Sequence, residues 1–189
     1  MAFWTTGGNR DPKRNFRFQV EFTNLINTAQ TTETVIWWAK KITKPNFTVA
    51  QSKHVYLGHT FHYPGKVEWQ EISMTLVDPA DAENKLDALQ HLNLLFQESG
   101  YVLPKNSGTV KTVSKNSFTK AMGDIIIKQI DGEGDAVETW TCKNVFLTSL
   151  KFSDLDYEND DISTIDLTIR YDYAECVIGN GGGSFYTPQ

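Results

Sequence analysis

The sequence predicts a mainly β protein, a sandwich or barrel with one α-helix packed on it. Apolar and polar residues alternate with period 2 in segment after segment, the mark of half-buried strands. Only one segment has helical spacing. The 189 residues, 40 % hydrophobic and 22 % charged, suit one domain with one sizeable core.

The first strand is Asn15–Phe22, with Phe16, Phe18, Val20 and Phe22 on one face and Arg17, Gln19 and Glu21 on the other. Val35–Ile42 is apolar on both faces: Trp37 and Val35 on one, Ile36, Trp38 and Ile42 on the other, with Lys44-Pro45-Asn46 ending it. In His54–Tyr63, the alternation puts Val55, Leu57, Phe61 and Tyr63 with His59, and Pro64-Gly65 reads as a turn. These two segments carry too much apolar surface for one-sided strands, so they are either central or in contact with another chain.

Ile72, Met74 and Leu76 alternate with Ser73 and Thr75. Asp78-Pro79 then places an N-cap acceptor before a proline suited to the first helical turn. Asp81 and Glu83 favour the positive end of the helix dipole. Leu86, Leu89, Leu92 and Phe96 form an apolar stripe opposite Asp87, Gln90, Asn93 and Gln97, and Gly100 stops the helix. The Ser-, Thr-, Asn- and Lys-rich stretch 105–120 reads as a flexible loop. Ile125–Ile127 reads as a strand covered on both faces, and Val137–Cys142 and Val145–Phe152 as strands. Ile165, Leu167, Ile169, Tyr171 and Tyr173 alternate with Asp166, Thr168, Arg170 and Asp172. Residues 177–189 read as a flexible Gly-rich tail, leaving a core over 14–176 of a single domain spanning 1–189.

Enzyme motifs are missing: there is no GxSxG, no P-loop and no GxGxxG opening a helix. The chain is read as not an enzyme, with no cofactor. Cys142 and Cys176 lack CxxC spacing and read as two buried reduced thiols. His59 and His62, three apart on a strand, point to opposite faces and cannot share one metal without a bulge, so the histidines read as surface groups on a hairpin and no metal is assigned. Asp131-Gly132-Glu133-Gly134-Asp135 spaces carboxylates as calcium loops do but lacks the remaining EF-hand ligands, and a hairpin turn fits it better. The denser run Asp154, Asp156, Glu158, Asp160 and Asp161 fits a solvated loop, a calcium site or a lining that faces a polyanion. Paired carboxylates for glycoside hydrolysis stay open, but nothing singles out two of the many acids.

Residues 1–123 hold 14 Lys and Arg against 10 Asp and Glu, a net of +4; residues 124–189 hold 4 against 13, a net of −9. The chain has no dense basic run, and its C-terminal third would repel phosphate. No run approaches the ~18 apolar residues of a membrane span. The start Met1–Gly8 lacks the pattern of a signal peptide. Folding and assembly in a cytoplasm are expected, without membrane insertion.

The order of segments resembles the tail tube protein family of contractile-tailed bacteriophages, which is related to the type VI secretion tubes. Asn15–Phe22 is followed by Trp38-Ala39-Lys40-Lys41-Ile42-Thr43-Lys44-Pro45. The segment ending His62-Tyr63-Pro64-Gly65-Lys66 comes next, then Trp69, the strand Ile72–Val77, a helix opened by Asp78, and Leu167–Tyr173. The resemblance spans about Asn15 to Tyr173; stretch 105–120 and the tail after Cys176 are additions to it.

The resemblance implies hexameric rings whose inner strands join into a continuous β-barrel. The rings stack into a hollow DNA conduit inside a contractile sheath. It implies as partners further copies of the chain, the tail sheath, baseplate, tail terminator and tape measure proteins, and DNA in transit without tight binding. The location it implies is the virion tail. It also implies ring-stacking contacts by His54, Val55, Tyr56, Leu57, His59 and Phe61. Trp37 and Trp38 are expected in the core or between subunits, and Asp166 and Asp172 are candidates for an acidic lumen. The alternatives are a baseplate protein that starts the tube and a monomeric β-barrel that binds a ligand.

Overall fold

The computed structural model describes residues 12–23, 39–78, 88–102, 112–158, 160–179 and 184–185. Two antiparallel sheets and a separate hairpin account for the strands. The strands are β1 (Phe18–Phe22), β2 (Ala39–Ile42), β3 (Phe47–Tyr56), β4 (His59–Trp69), β5 (Ile72–Val77), β6 (Ile125–Ile130), β7 (Ala136–Lys143), β8 (Phe146–Phe152), β9 (Thr164–Arg170), β10 (Tyr173–Ile178) and β11 (Ser184–Phe185). The helices are α1 (Ala88–Glu98) and α2 (Lys115–Met122). One sheet runs β1-β6-β7-β10-β11 and the other β2-β5-β9-β8, while β3 and β4 pair only with each other. The mainly β class predicted from alternation is the observed one.

The core lies between the two sheets because each strand commits one face to it. Ile72, Met74 and Leu76 pair across the register with Ile169, Leu167 and Ile165, and all six are buried. Val20, Ile125, Ile127, Cys142 and Ala174 supply the opposite layer. Removing a large aliphatic side chain from water stabilises by about 1.5–3 kcal/mol. Leu92, Leu95, Phe118 and Met122 of the two helices join the same core, α1 packing on α2 and α2 on β8.

The predicted helix is present over Ala88–Glu98; its proposed first turns from Pro79, with Leu86 and Asp87, lie outside the described residues. Leu95, which the predicted stripe omitted, is fully buried beside Leu92. Gly100 sits at φ 89° and donates to the Gln97 carbonyl, a left-handed stop that glycine adopts without strain.

Four expectations change. The stretch 105–120 is not loop throughout: Ser114 caps α2, its hydroxyl accepting from the Ser117 amide at 3.2 Å. The alternation through Tyr173 is two strands, because β9 ends at Arg170 and a bend at Tyr171-Asp172 starts β10. The tail after Cys176 supplies the end of β10 and the short β11 paired to it. Pro64-Gly65 is not a turn but part of β4, beside a bulge at Ala50. A Cβ on Gly65 would stand 3.0 Å from the Ala50 carbonyl oxygen, which is why glycine occupies that place.

Both cysteines are buried and neither forms a disulfide; burial raises the Cys142 thiol to about 12. Among the described residues no helix is long and apolar enough to cross a membrane.

Candidate assembly interface

The hairpin β3–β4 is exposed along both faces from Phe47 to Glu68. Its turn is Leu57-Gly58, with φ 47° and 79°. Two consecutive positive φ values match the type I′ geometry that Asn-Gly favours in tight hairpins. Leucine at such a position costs about 1 kcal/mol of backbone strain, and this leucine is 88 % exposed.

Cross-strand pairing fixes the two faces. Ser52 stands opposite Tyr63, His54 opposite Phe61, and Tyr56 opposite His59, so one face carries His54, Tyr56, His59, Phe61 and Tyr63. The other carries Lys53 opposite His62 and Val55 opposite Thr60. The sequence-based grouping of Val55 and Leu57 with Phe61 and Tyr63 is therefore wrong, because it ran the alternation through a turn that reverses the chain. His59 and His62 do lie on opposite faces, as their spacing requires. His62 Nδ1 is 3.1 Å from Gln51 Oε1, and the His59 ring packs edge-on against Phe61 at 4.7 Å. Among the described residues no group of three or more His, Cys, Asp or Glu is placed to hold a metal.

The root of the hairpin is tied down firmly. Phe47 packs on Trp69 at 5.2 Å and Trp69 on Tyr171 at 5.8 Å. The Gln70 amide donates to the Asn46 carbonyl at 2.9 Å, and Arg170 reaches Glu68 and Glu71 at 3.1 and 3.3 Å. In the link before β3, Lys44 donates to Gln129 Oε1 at 2.6 Å and Glu138 Oε1 at 2.8 Å, both on the five-stranded sheet. Lys13 and the Trp140 indole N–H also donate to Glu138. Burial pushes the Glu138 pKa up, but hydrogen bonds from Lys13, Lys44 and Trp140 outweigh it and hold the carboxyl at about 2.

The four-stranded sheet turns its second face outward. Its central row, Lys41, Thr75, Asp166 and Lys151, crosses all four strands, and Thr75 Oγ1 donates to Asp166 Oδ1 at 2.7 Å. Ser73 and Thr168 form the next row. Asp166 thus stands on an exposed, hydroxyl-rich face between two lysines. Asp172 is not on that face: it lies beyond the end of β9, held by Lys115 at 2.6 and 2.7 Å and by Asn144 at 2.9 Å. The outer strands β2 and β8 have no further partner strand among the described residues. Trp37 and Trp38 lie outside the described residues.

The acidic run forms the β8–β9 connection. Ser153 and Ser163 close its neck, their hydroxyls 3.1 Å apart. Together with Lys40 and Thr164 it lines a cleft of about 690 Å³. Leu155, Tyr157 and Ile162, which the sequence reading passed over in favour of the acids, are exposed there. Their signal was available: three large apolar residues sit among five acids in a segment without strand alternation. The other acidic motif, at Asp131–Asp135, is the hairpin turn between β6 and β7. Asp131 Oδ1 accepts from the Glu133 and Asp135 amides at 2.9 and 3.0 Å, and those backbone bonds lower its pKa.

No protein-family model and no curated protein matches this sequence. Solved structures do share the fold. A chain from the sheath/tube terminator of an extracellular contractile injection system, PVC, in its extended state matches at TM-score 0.60 and 17 % identity, over 90 % of this chain and 99 % of that one. A chain from the six-fold symmetrised baseplate of the anti-feeding prophage matches at 0.59 and 16 %, over 89 % and 97 %. A chain from the extended PVC sheath-tube complex matches at 0.53 and 19 %, over 88 % and 92 %.

Proposed function

We propose that this chain is a non-enzymatic structural subunit that builds the tube of a contractile tail or injection particle. The observation that carries the reading is the hairpin. It exposes aromatic and aliphatic side chains on both faces, and a two-stranded ribbon of that kind is marginal alone in water. Contiguous exposed apolar surface of this extent marks a protein interaction site. The edges of β2 and β8, which have no further partner strand among the described residues, agree with it, since pairing them with neighbouring copies would protect both.

In this reading copies close into hexameric rings through the four-stranded sheet, with the row Lys41, Thr75, Asp166 and Lys151 toward the bore. His54, Val55, Tyr56, Leu57, His59 and Phe61 make contacts between rings, and Trp37 and Trp38 pack in the core or between subunits. The row toward the bore is then polar, with Lys41 and Lys151 against the single carboxylate of Asp166, and is not the acidic lining expected from Asp166 and Asp172 together. Asp172 serves the subunit itself through Lys115. Among the described residues the helices direct Leu92, Leu95, Phe118 and Met122 into the core. Sheath, baseplate and terminator proteins are the partners, with a tape measure protein and then DNA passing through the lumen without tight binding. The particle is a phage tail assembled in the host cytoplasm.

Negative-stain microscopy of the purified protein across a concentration series tests the reading. Rings with a central hole, or long tubes, are expected; a monomer at every concentration would sink it. A second reading, a ring that starts or closes the tube, draws on the higher TM-scores to the terminator and baseplate chains than to the sheath-tube chain. Single rings that never elongate would favour it.

A further inference from the structure

We propose that the β8–β9 cleft is the socket for the hairpin tip of a second copy of this chain, with Leu57 as the inserted anchor. The proposal rests on the tube reading and adds to it the surface that receives the hairpin.

Three observations carry it. The first is placement. The hairpin leaves the four-stranded sheet where β5 begins, at the Ile72–Ile169 pair. The cleft lies at the other end of the same strands, beside Val77, Thr164 and Lys40. Six residues at ~3.3 Å each put the two ends about 20 Å apart. A hairpin exposed on both faces does not fold back along its own sheet. The tip of one copy can therefore meet the cleft of the next in a head-to-tail contact, and such a heterologous contact repeats without limit into a filament.

The second observation is charge. From Phe47 to Val67 the hairpin has Lys53, Lys66 and three histidines and no acidic residue. The loop from Ser153 to Ser163 has Asp154, Asp156, Glu158, Asp160 and Asp161 and no basic one. Lys40 at the cleft wall is the one cation among the described lining residues. Opposite charge of this kind sets register and speeds encounter.

The third is the pair of apolar groups that solvent exposure leaves without a purpose. Leu57 occupies a left-handed turn position where asparagine or glycine would be relaxed. Across the proposed contact, Leu155, Tyr157 and Ile162 are exposed among the acids. An exposed apolar anchor meeting exposed apolar side chains ringed by charge is the anatomy of a small, specific contact.

Cross-linking tests the pairing directly, because Cys142 and Cys176 are both buried. Leu57→Cys and Leu155→Cys proteins are mixed under conditions of assembly and oxidised. A disulfide-linked dimer is expected, in at least tenfold excess over a mixture of Leu57→Cys with Glu133→Cys, which puts the second thiol on the distant β6–β7 turn. In parallel, Leu57→Asn should raise the unfolding temperature of the subunit while cutting tube yield at least tenfold, and added salt should weaken elongation. Rings or tubes without the Leu57–Leu155 link, or with Leu57 linked to its own counterpart, overturn this socket alone. A protein that stays monomeric overturns the tube reading as well, and micrographs of the same sample separate the two results.

Discussion

The sandwich and the hairpin are built from similar residues and end in opposite environments. In β5 and β9 every second side chain is buried and the central intervening ones, Ser73, Thr75, Asp166 and Thr168, are short and polar, so the strands satisfy themselves within one chain. In β3 and β4 large side chains occur on both faces and almost none is covered. Apolar content alone therefore does not identify a core. What separates the regions is whether the apolar residues keep to one parity of the strand, because only one face of a two-layer sandwich has something to pack against.

A matched pair of charge insertions should break this comparison most sharply. Ile169→Asp puts a carboxylate between the sheets, which costs several kcal/mol, and soluble folded subunit should be lost on expression. Phe61→Asp should leave the subunit's melting temperature unchanged within error and abolish tubes. If Phe61→Asp also unfolds the subunit, the hairpin belongs to the core after all. A milder version uses truncation. Leu95→Ala should destabilise by about 2–5 kcal/mol in urea titrations, whereas Tyr63→Ala should change the same measurement by less than about 0.5 kcal/mol.

Acid sharpens the boundary between the two regions, since Glu138 joins the hairpin root to the far sheet. Its folded pKa, about 2, lies below the ordinary 4.5, so the unfolded chain binds the proton first. The contribution is complete above about 4.5 and is lost as pH falls from there through about 2. Thermal melts between pH 5 and pH 2.5 should fall more steeply for the natural protein than for Glu138→Gln. The smallest effect belongs to the exposed pair Lys115–Asp172. Lys115→Ala should cost only about 0.2–1 kcal/mol, and less in high salt, as urea titrations at two ionic strengths would read.

How much of this was legible in the sequence follows the same division. One-sided strands such as Ile72–Val77 announce themselves, because burial on one face imposes the period. The hairpin's excess of apolar residues was equally visible, and its use in contact with another chain remains the proposal made above. Its turn was misplaced for a physical reason: Pro64-Gly65 has strong turn chemistry, and Leu57-Gly58 has a residue that the turn disfavours. Helix α2 was hidden by Ser, Thr and Asn, whose intrinsic helix preference is weak, and it owes its place to Phe118 and Met122 entering the core. The break at Tyr171-Asp172 left no trace in the alternation, since Tyr171 is buried in either arrangement. The cleft needed the loop's path in space, which no local pattern encodes.

The anchoring of the hairpin root has a mechanical meaning. Lys44 holds β6 and β7 through Gln129 and Glu138, while Trp69 packs against Tyr171 and Arg170 grips Glu68 and Glu71. A pull along the hairpin is thereby shared between both layers of the sandwich. It would have to shear several bonds at once instead of peeling one strand from its edge. A subunit loaded in this way yields as a block or not at all, so strain arriving at the tip would be passed on to whatever holds the rest of the subunit.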